Sequence, residues 1–162
     1  MTVTNKSSGP GVRFPPPFLF AGALLLAWLL ETQVLSLPIM ERPYPVPLLV
    51  TIGYVLVAAG LGVTAWGMVT FARARTAIIP HRAASRLVDT GPYRFTRNPM
   101  YTGMTLAYLG GCLLLDSWWA AVLLPVALVL LYRLVVQREE RYLAAEFGGA
   151  YEDYRRRVKR WI

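Results

Sequence analysis

The sequence holds a single cysteine, Cys112, and a single histidine, His81, which excludes a disulfide framework and a cysteine-based metal centre; no metal ligand set is read from it. Acidic residues are scarce too. Nine Asp and Glu stand against 17 Lys and Arg, for a net charge of +8. Charge of either sign is missing from long stretches. The run from Pro47 to Phe71 is 25 residues without one, and at about 1.5 Å per residue it crosses a hydrocarbon core of about 30 Å. The 162 residues are one domain's worth of chain, 56% hydrophobic with a mean hydropathy of +0.43. That is too apolar for an ordinary soluble domain and is the composition of a membrane protein.

Three further apolar runs accompany the first. Phe14 to Met40 carries only Glu31, while Pro99 to Leu115 and Ser117 to Val136 are separated by Asp116 and read as a helical hairpin with a tight outer turn. The expected fold is therefore all-α, an integral membrane helical bundle of four transmembrane helices followed by a cytosolic C-terminal helix. Lys and Arg near helix ends are retained on the cytoplasmic side. They number two before the first run, one after it, six between Arg73 and Arg97, none at Asp116 and eight from Arg133 onward. That alternation fits four spans with both termini cytoplasmic. It also accounts for the positive charge as topology plus attraction to anionic lipid, and no nucleic-acid partner is implied because the basic residues flank apolar spans.

The chain divides into a mobile cytosolic tail (1–13), two first spans (14–71) and a core of loop, hairpin and C-terminal helix (72–162). No cleavable signal peptide is read. Ser7-Ser8-Gly9-Pro10-Gly11 and Pro15-Pro16-Pro17 surround the first run's start, and no small-residue cleavage site follows it. Gly53, Gly60 and Gly67 recur every seven residues with Thr64 among them, and Gly103, Ala107 and Gly110 form a second stripe. Small residues let helix backbones approach in lipid, so these are packing faces. Gly60-Leu61-Gly62 is no nucleotide loop, since no strand precedes it.

Polar residues cluster twice at membrane borders, where such groups are usually functional. The first cluster is Gly91-Pro92-Tyr93-Arg94-Phe95-Thr96-Arg97-Asn98-Pro99-Met100-Tyr101. Its prolines fix the backbone, its tyrosines offer ring faces to a cation, and Arg97 offers a guanidinium fork to a carboxylate. An interfacial Tyr and Arg belt is the plain alternative. The second cluster is Glu139-Glu140, then Phe147-Gly148, Tyr151 and Tyr154. Adjacent helical residues point about 100° apart, so one carboxylate faces the bundle and the other pairs with Arg138 or Arg141. The basic run Arg155-Arg156-Arg157 with Lys159-Arg160-Trp161 reads as an anchor on anionic lipid.

The order Leu87-Val88, Gly91-Pro92-Tyr93, Arg97-Asn98-Pro99-Met100-Tyr101, an apolar hairpin, Glu139-Glu140, Phe147-Gly148, Tyr151, Tyr154 and Val158 resembles the isoprenylcysteine carboxyl methyltransferase family and its relatives, the phospholipid N-methyltransferases. The resemblance covers roughly Arg73 to Trp161. It implies a membrane enzyme, of bacterial inner-membrane type, that binds S-adenosylmethionine in a cytosolic pocket and receives a lipidic or small hydrophobic acceptor from the bilayer. It assigns Val88, Tyr93, Asn98, Pro99, Tyr101, Glu139 and Glu140 to the cofactor and Arg97 to the reaction mouth, with Val88 on the adenine side. Eukaryotic members read Arg-His-Pro where this chain has Arg97-Asn98-Pro99; an amide hydrogen-bonds but does not titrate near neutral pH. His81 reads as an ordinary loop residue. Two rivals stand beside the enzyme: a small four-span transporter using Glu31, and a non-catalytic subunit that keeps the fold without the activity. The acceptor, a carboxylate, amine or thiol, is not legible.

Overall fold

The computed structural model describes residues 11, 15–40, 47–76 and 85–161. Arg42, His81, Arg82 and most of the expected tail lie outside the described residues. Proline starts the helices, because its missing N–H is unpaired in a first turn anyway and its φ is already helical. Helix α1 (Pro16–Gln33), α2 (Pro47–Arg73) and α3 (Pro99–Leu114) each open on one, and α4 (Trp118–Leu131) follows α3 after a tight turn. A π-helical segment, Tyr132–Val136, leads without a break into α5 (Gln137–Phe147), and α6 (Gly149–Arg157) follows. No strand occurs among the described residues.

Three helical stretches are long and apolar enough to cross a bilayer: Pro16–Gln33, Pro47–Arg73 and the continuous Trp118–Phe147. Their outward faces carry exposed Leu25, Trp28, Val55, Leu61, Val122 and Val129, surface that is stable against acyl chains and costly against water. Helix α3 has 16 residues, short of the ~20 of an upright span. It is the inner helix, with Tyr101, Gly103, Tyr108, Gly110 and Cys112 buried. The core gathers Phe20 and Ala27 of α1, Tyr101 and Tyr108 of α3, and Ala120, Leu124 and Leu131 of α4.

The glycine stripes face each other across α2 and α3. A Cβ built on Gly60 lies 2.5 Å from the Ala107 backbone nitrogen, and one on Gly103 lies 2.6 Å from the Gly60 carbonyl. The two backbones touch. Thr64 reinforces the contact by donating its hydroxyl to the Gly60 carbonyl at 2.9 Å and the Met100 carbonyl at 3.3 Å.

At the opposite end from the two polar clusters, Glu31 stitches the loop after α1 to the α3–α4 turn. One carboxylate oxygen accepts from Ser36 Oγ at 2.6 Å and from the Leu37 N–H at 2.7 Å, and the other accepts from buried Ser117 at 2.7 Å. Asp116, at φ +50°, adds a bond from the Met40 N–H at 2.7 Å. Replacing Glu31 with Ala strands these donors, so we expect about 1–3 kcal/mol of lost stability, read as a lowered thermal midpoint in detergent. An unchanged midpoint would contradict this structural role.

Candidate active site at the end of the bundle

The first polar cluster is built by a turn and a helix start. Gly91, at φ +58°, opens a 3-10 turn (Gly91–Arg94) pressed so closely on α2 that a Cβ there would meet Thr70 Oγ1 at 2.7 Å. Only glycine satisfies both demands. The turn buries Tyr93 against Phe71, ring centroids 5.1 Å apart, and leaves Phe95 exposed beside Trp66 at 6.5 Å. The chain then passes Thr96 and Arg97, and Asn98 caps the start of α3, where Pro99 and Tyr101 are buried.

The second cluster reaches the first through the π segment. Glu139 faces inward, as expected of one of the pair, and accepts the Tyr101 hydroxyl at 2.7 Å. Glu140 does not pair with Arg138 or Arg141. It binds Arg160 through two hydrogen bonds of 2.8 Å each, a bidentate fork, and Arg97 at 3.1 Å. The reason is helical geometry: residues one and two apart do not face each other. Arg141 turns back to the Gln137 carbonyl at 3.1 Å, and Arg138 reaches the Gly11 carbonyl at 3.3 Å.

Gly148, at φ +51°, ends α5 and redirects the chain into α6. Tyr151 and Tyr154 are buried on one face of α6. The Tyr154 hydroxyl donates to the Tyr93 carbonyl at 2.8 Å, and Arg97 donates to the Tyr151 hydroxyl at 3.3 Å. The basic run does not act as one unit. Arg155, Arg156, Arg157 and Lys159 are exposed, whereas Arg160 turns inward, its guanidinium 5.2 Å from the centre of the Tyr132 ring. Thr96 Oγ1 at 2.9 Å and Asn98 Nδ2 at 3.1 Å both donate to the Arg160 carbonyl, and the Arg97 N–H donates to the Lys159 carbonyl at 2.9 Å. The Asn98 side chain thus seats a length of backbone.

The structure therefore gathers Tyr93, Arg97, Asn98, Pro99, Tyr101, Glu139 and Glu140 from the expected set. Val88 is buried and lines a cavity of about 460 Å³ with Trp66, Thr70, Arg86 and Gly91 of the first cluster. Tyr132 joins the cluster without having been singled out, and Arg160, read as part of a lipid anchor, and Thr96, given no role, join it too. Arg160 was hidden among five basic residues between positions 155 and 160; no spacing distinguishes the one that turns inward.

Burial pushes the hydroxyls of Tyr93, Tyr151 and Tyr154 above their ordinary pKa. The Glu139 carboxylate adds to this at Tyr93, and the Glu140 carboxylate adds to it at Tyr151, where Arg97 opposes it. All three are hydrogen-bond donors near neutral pH. Two buried donors lack a partner among the described residues, the Tyr93 hydroxyl and Arg97 Nε. Two carboxylates framed by tyrosine rings, with donors to spare, suit a ligand carrying a cationic centre and several hydroxyl or carboxylate oxygens. Among the described residues no group of three or more His, Cys, Asp and Glu side chains is placed to hold a metal.

Comparison with known proteins places this cluster in context. The family profile of phospholipid methyltransferase matches residues 48–150, more than half of the chain. The chain is 35% identical over 72 residues to a protein-S-isoprenylcysteine O-methyltransferase of Schizosaccharomyces pombe, which covers 44% of this chain and 30% of that protein. It is 34% identical over 113 residues to the cobalt-zinc-cadmium resistance protein CzcN of Cupriavidus metallidurans, covering 69% of this chain and 48% of the relative. A nickel-cobalt-cadmium resistance protein, NccN, of Alcaligenes xylosoxydans xylosoxydans is 34% identical over 99 residues, 60% of this chain and 45% of the relative. The chain thus spans less than half the length of each of these relatives. No solved structure matches it.

Proposed function

Because this chain belongs to the phospholipid methyltransferase family, we propose that it is an S-adenosylmethionine-dependent methyltransferase of the bacterial inner membrane, acting on a lipidic or small hydrophobic acceptor. The observation that carries the reading is the meeting of the two polar clusters, closed by Tyr101 on Glu139 at 2.7 Å and by Arg97 on Glu140 at 3.1 Å. With α3 as a fourth, short span, both termini are cytoplasmic and the site opens on the cytoplasmic face. Residues 14–71 then supply the first two spans and residues 72–162 the methyltransferase core.

S-adenosylmethionine, when bound, supplies a methyl group on a sulfonium, and transfer from it is an in-line displacement by the acceptor's electron pair. The residues bind, align and exclude water. Glu139 and Glu140 are assigned to the cofactor's ribose or ammonium groups, Tyr93 and Tyr101 to its cationic and polar parts, and Asn98 and Pro99 to the wall beneath it. Val88, on the cavity bordered by Gly91, is assigned to the adenine side. Arg97 orients the acceptor. A carboxylate acceptor is already ionised and needs no base. An amine or thiol loses a proton, and since the buried tyrosines hold theirs, a glutamate of the pair or water takes it.

A transporter is disfavoured by Glu31, whose carboxylate is committed to Ser36, Leu37 and Ser117 in the outer turn. Incubating the purified protein with methyl-labelled S-adenosylmethionine and host lipid extract tests the enzyme. A labelled lipid product is expected, and no labelled product from any extract would contradict the reading and revive the non-catalytic subunit.

The division of labour gives a second expectation. Arg97→Ala should slow single turnover at saturating cofactor more than it weakens cofactor binding. Glu140→Ala should weaken cofactor binding by about 1–3 kcal/mol, because it leaves buried donors unsatisfied. Arg97 and Glu140 touch, so their effects overlap in part. Equal cofactor affinity for Glu140→Ala and the parent would remove Glu140 from the pocket.

A further inference from the structure

We propose that Arg160 is a positioning residue of this site, the clamp through which the segment Val158–Trp161 sets the orientation of Glu140 and Arg97; the proposal rests on the methyltransferase reading above. Four observations converge on it. The Arg160 guanidinium forks both oxygens of Glu140 at 2.8 Å and lies over Tyr132. Its carbonyl receives Thr96 at 2.9 Å and Asn98 at 3.1 Å, so the backbone is fixed as firmly as the side chain. The preceding carbonyl, of Lys159, receives the Arg97 N–H at 2.9 Å. Val158 is extended, at φ −120° and ψ 128°, which turns the chain out of α6 and across the first cluster.

The consequence is a chain of constraint. A bidentate guanidinium fixes a carboxylate in plane as well as in position, so Glu140 is held facing away from its neighbour Glu139. Glu139 is then left to Tyr101, and Arg97 shares its NH1 between Glu140 and Tyr151 at 3.1 and 3.3 Å. Without Arg160, Glu140 loses its fork, swings toward Arg97 and draws it from Tyr151. Arg160 therefore acts on the cofactor through Glu140 and needs no contact of its own.

Calorimetric titration of S-adenosylmethionine into the purified protein tests this as a double-mutant cycle. Arg160→Ala is expected to raise Kd at least tenfold. Arg160→Lys, which keeps the charge and loses the fork, falls between it and the parent, and Arg156→Ala, an equal loss of charge at an exposed position, changes nothing. Added to Glu140→Ala, the Arg160→Ala change should raise Kd less than twofold further. Parental Kd in Arg160→Ala, or full additivity with Glu140→Ala, would overturn the proposal. Hydrogen exchange at the Arg97 amide supplies a readout without cofactor: it should be faster in Arg160→Ala than in the parent. Unchanged exchange would overturn the clamp, whereas faster exchange in a protein that binds no cofactor would overturn the methyltransferase reading and leave the clamp standing.

Discussion

Inserting one alanine after Leu134 is expected to weaken S-adenosylmethionine binding by about 100-fold or more, equivalent to about 2.7 kcal/mol, while leaving the membrane bundle folded. Leu134 lies in the π segment Tyr132–Val136, which holds one residue more than an α-helical turn needs. Deleting one residue from it would return the helix to α with everything after it still facing the same way, because the wide turn already absorbs the extra residue; inserting one more overfills the turn and rotates whatever follows by roughly 100°. The part that yields is α5. Helix α4 is locked by buried Ala120, Leu124, Ala127 and Leu131, whereas α5 has no fully buried residue. Glu139 would swing off Tyr101 and Glu140 off Arg97 and Arg160. Because the Leu134 side chain is exposed, Leu134→Ala without insertion should bind as the parent does. Parental affinity in the insertion variant would show that the register of α5 does not aim the carboxylates.

The second large effect belongs to the α2–α3 contact. Gly60→Val should prevent accumulation of folded protein, at a cost of about 3 kcal/mol or more, since overpacking against backbone has no soft side chain to yield. Even Gly60→Ala meets the Ala107 nitrogen at 2.5 Å, while a Cβ on Gly62 meets nothing within 4 Å. Gly53→Ala is intermediate, because the nearest atom is Leu114 Cδ2, a movable side-chain end, at 2.9 Å. Thermal midpoints in detergent should therefore fall in the order Gly62→Ala, Gly53→Ala, Gly60→Ala. A Gly60→Ala protein as stable as Gly62→Ala would contradict the close helix contact.

Much of this was legible because it rests on local rules. Uncharged runs marked the long helices, and seven-residue glycine spacing marked the α2–α3 face. The inward turn of one glutamate followed from the angle between neighbours on a helix. What the sequence hid is long-range. Glu140 was read against Arg138 and Arg141, the cations beside it in the chain, yet its partners stand 43 residues before it and 20 after it. The π segment has no signature in Tyr-Arg-Leu-Val-Val, since apolar residues serve either helix type. Val88 was grouped with the pocket by motif order alone, and it lines a cavity that Gly91 of the first cluster also borders.

The central claim is that the two polar clusters form one S-adenosylmethionine site, and calorimetric titration of that cofactor into the detergent-purified protein and its Glu139→Ala variant tests it most directly. The account predicts binding at a 1:1 ratio in the parent and a strongly weakened isotherm in the variant, which loses the carboxylate bonded to Tyr101. No heat and no thermal shift in the parent at millimolar cofactor, or the same isotherm in both proteins, would contradict it.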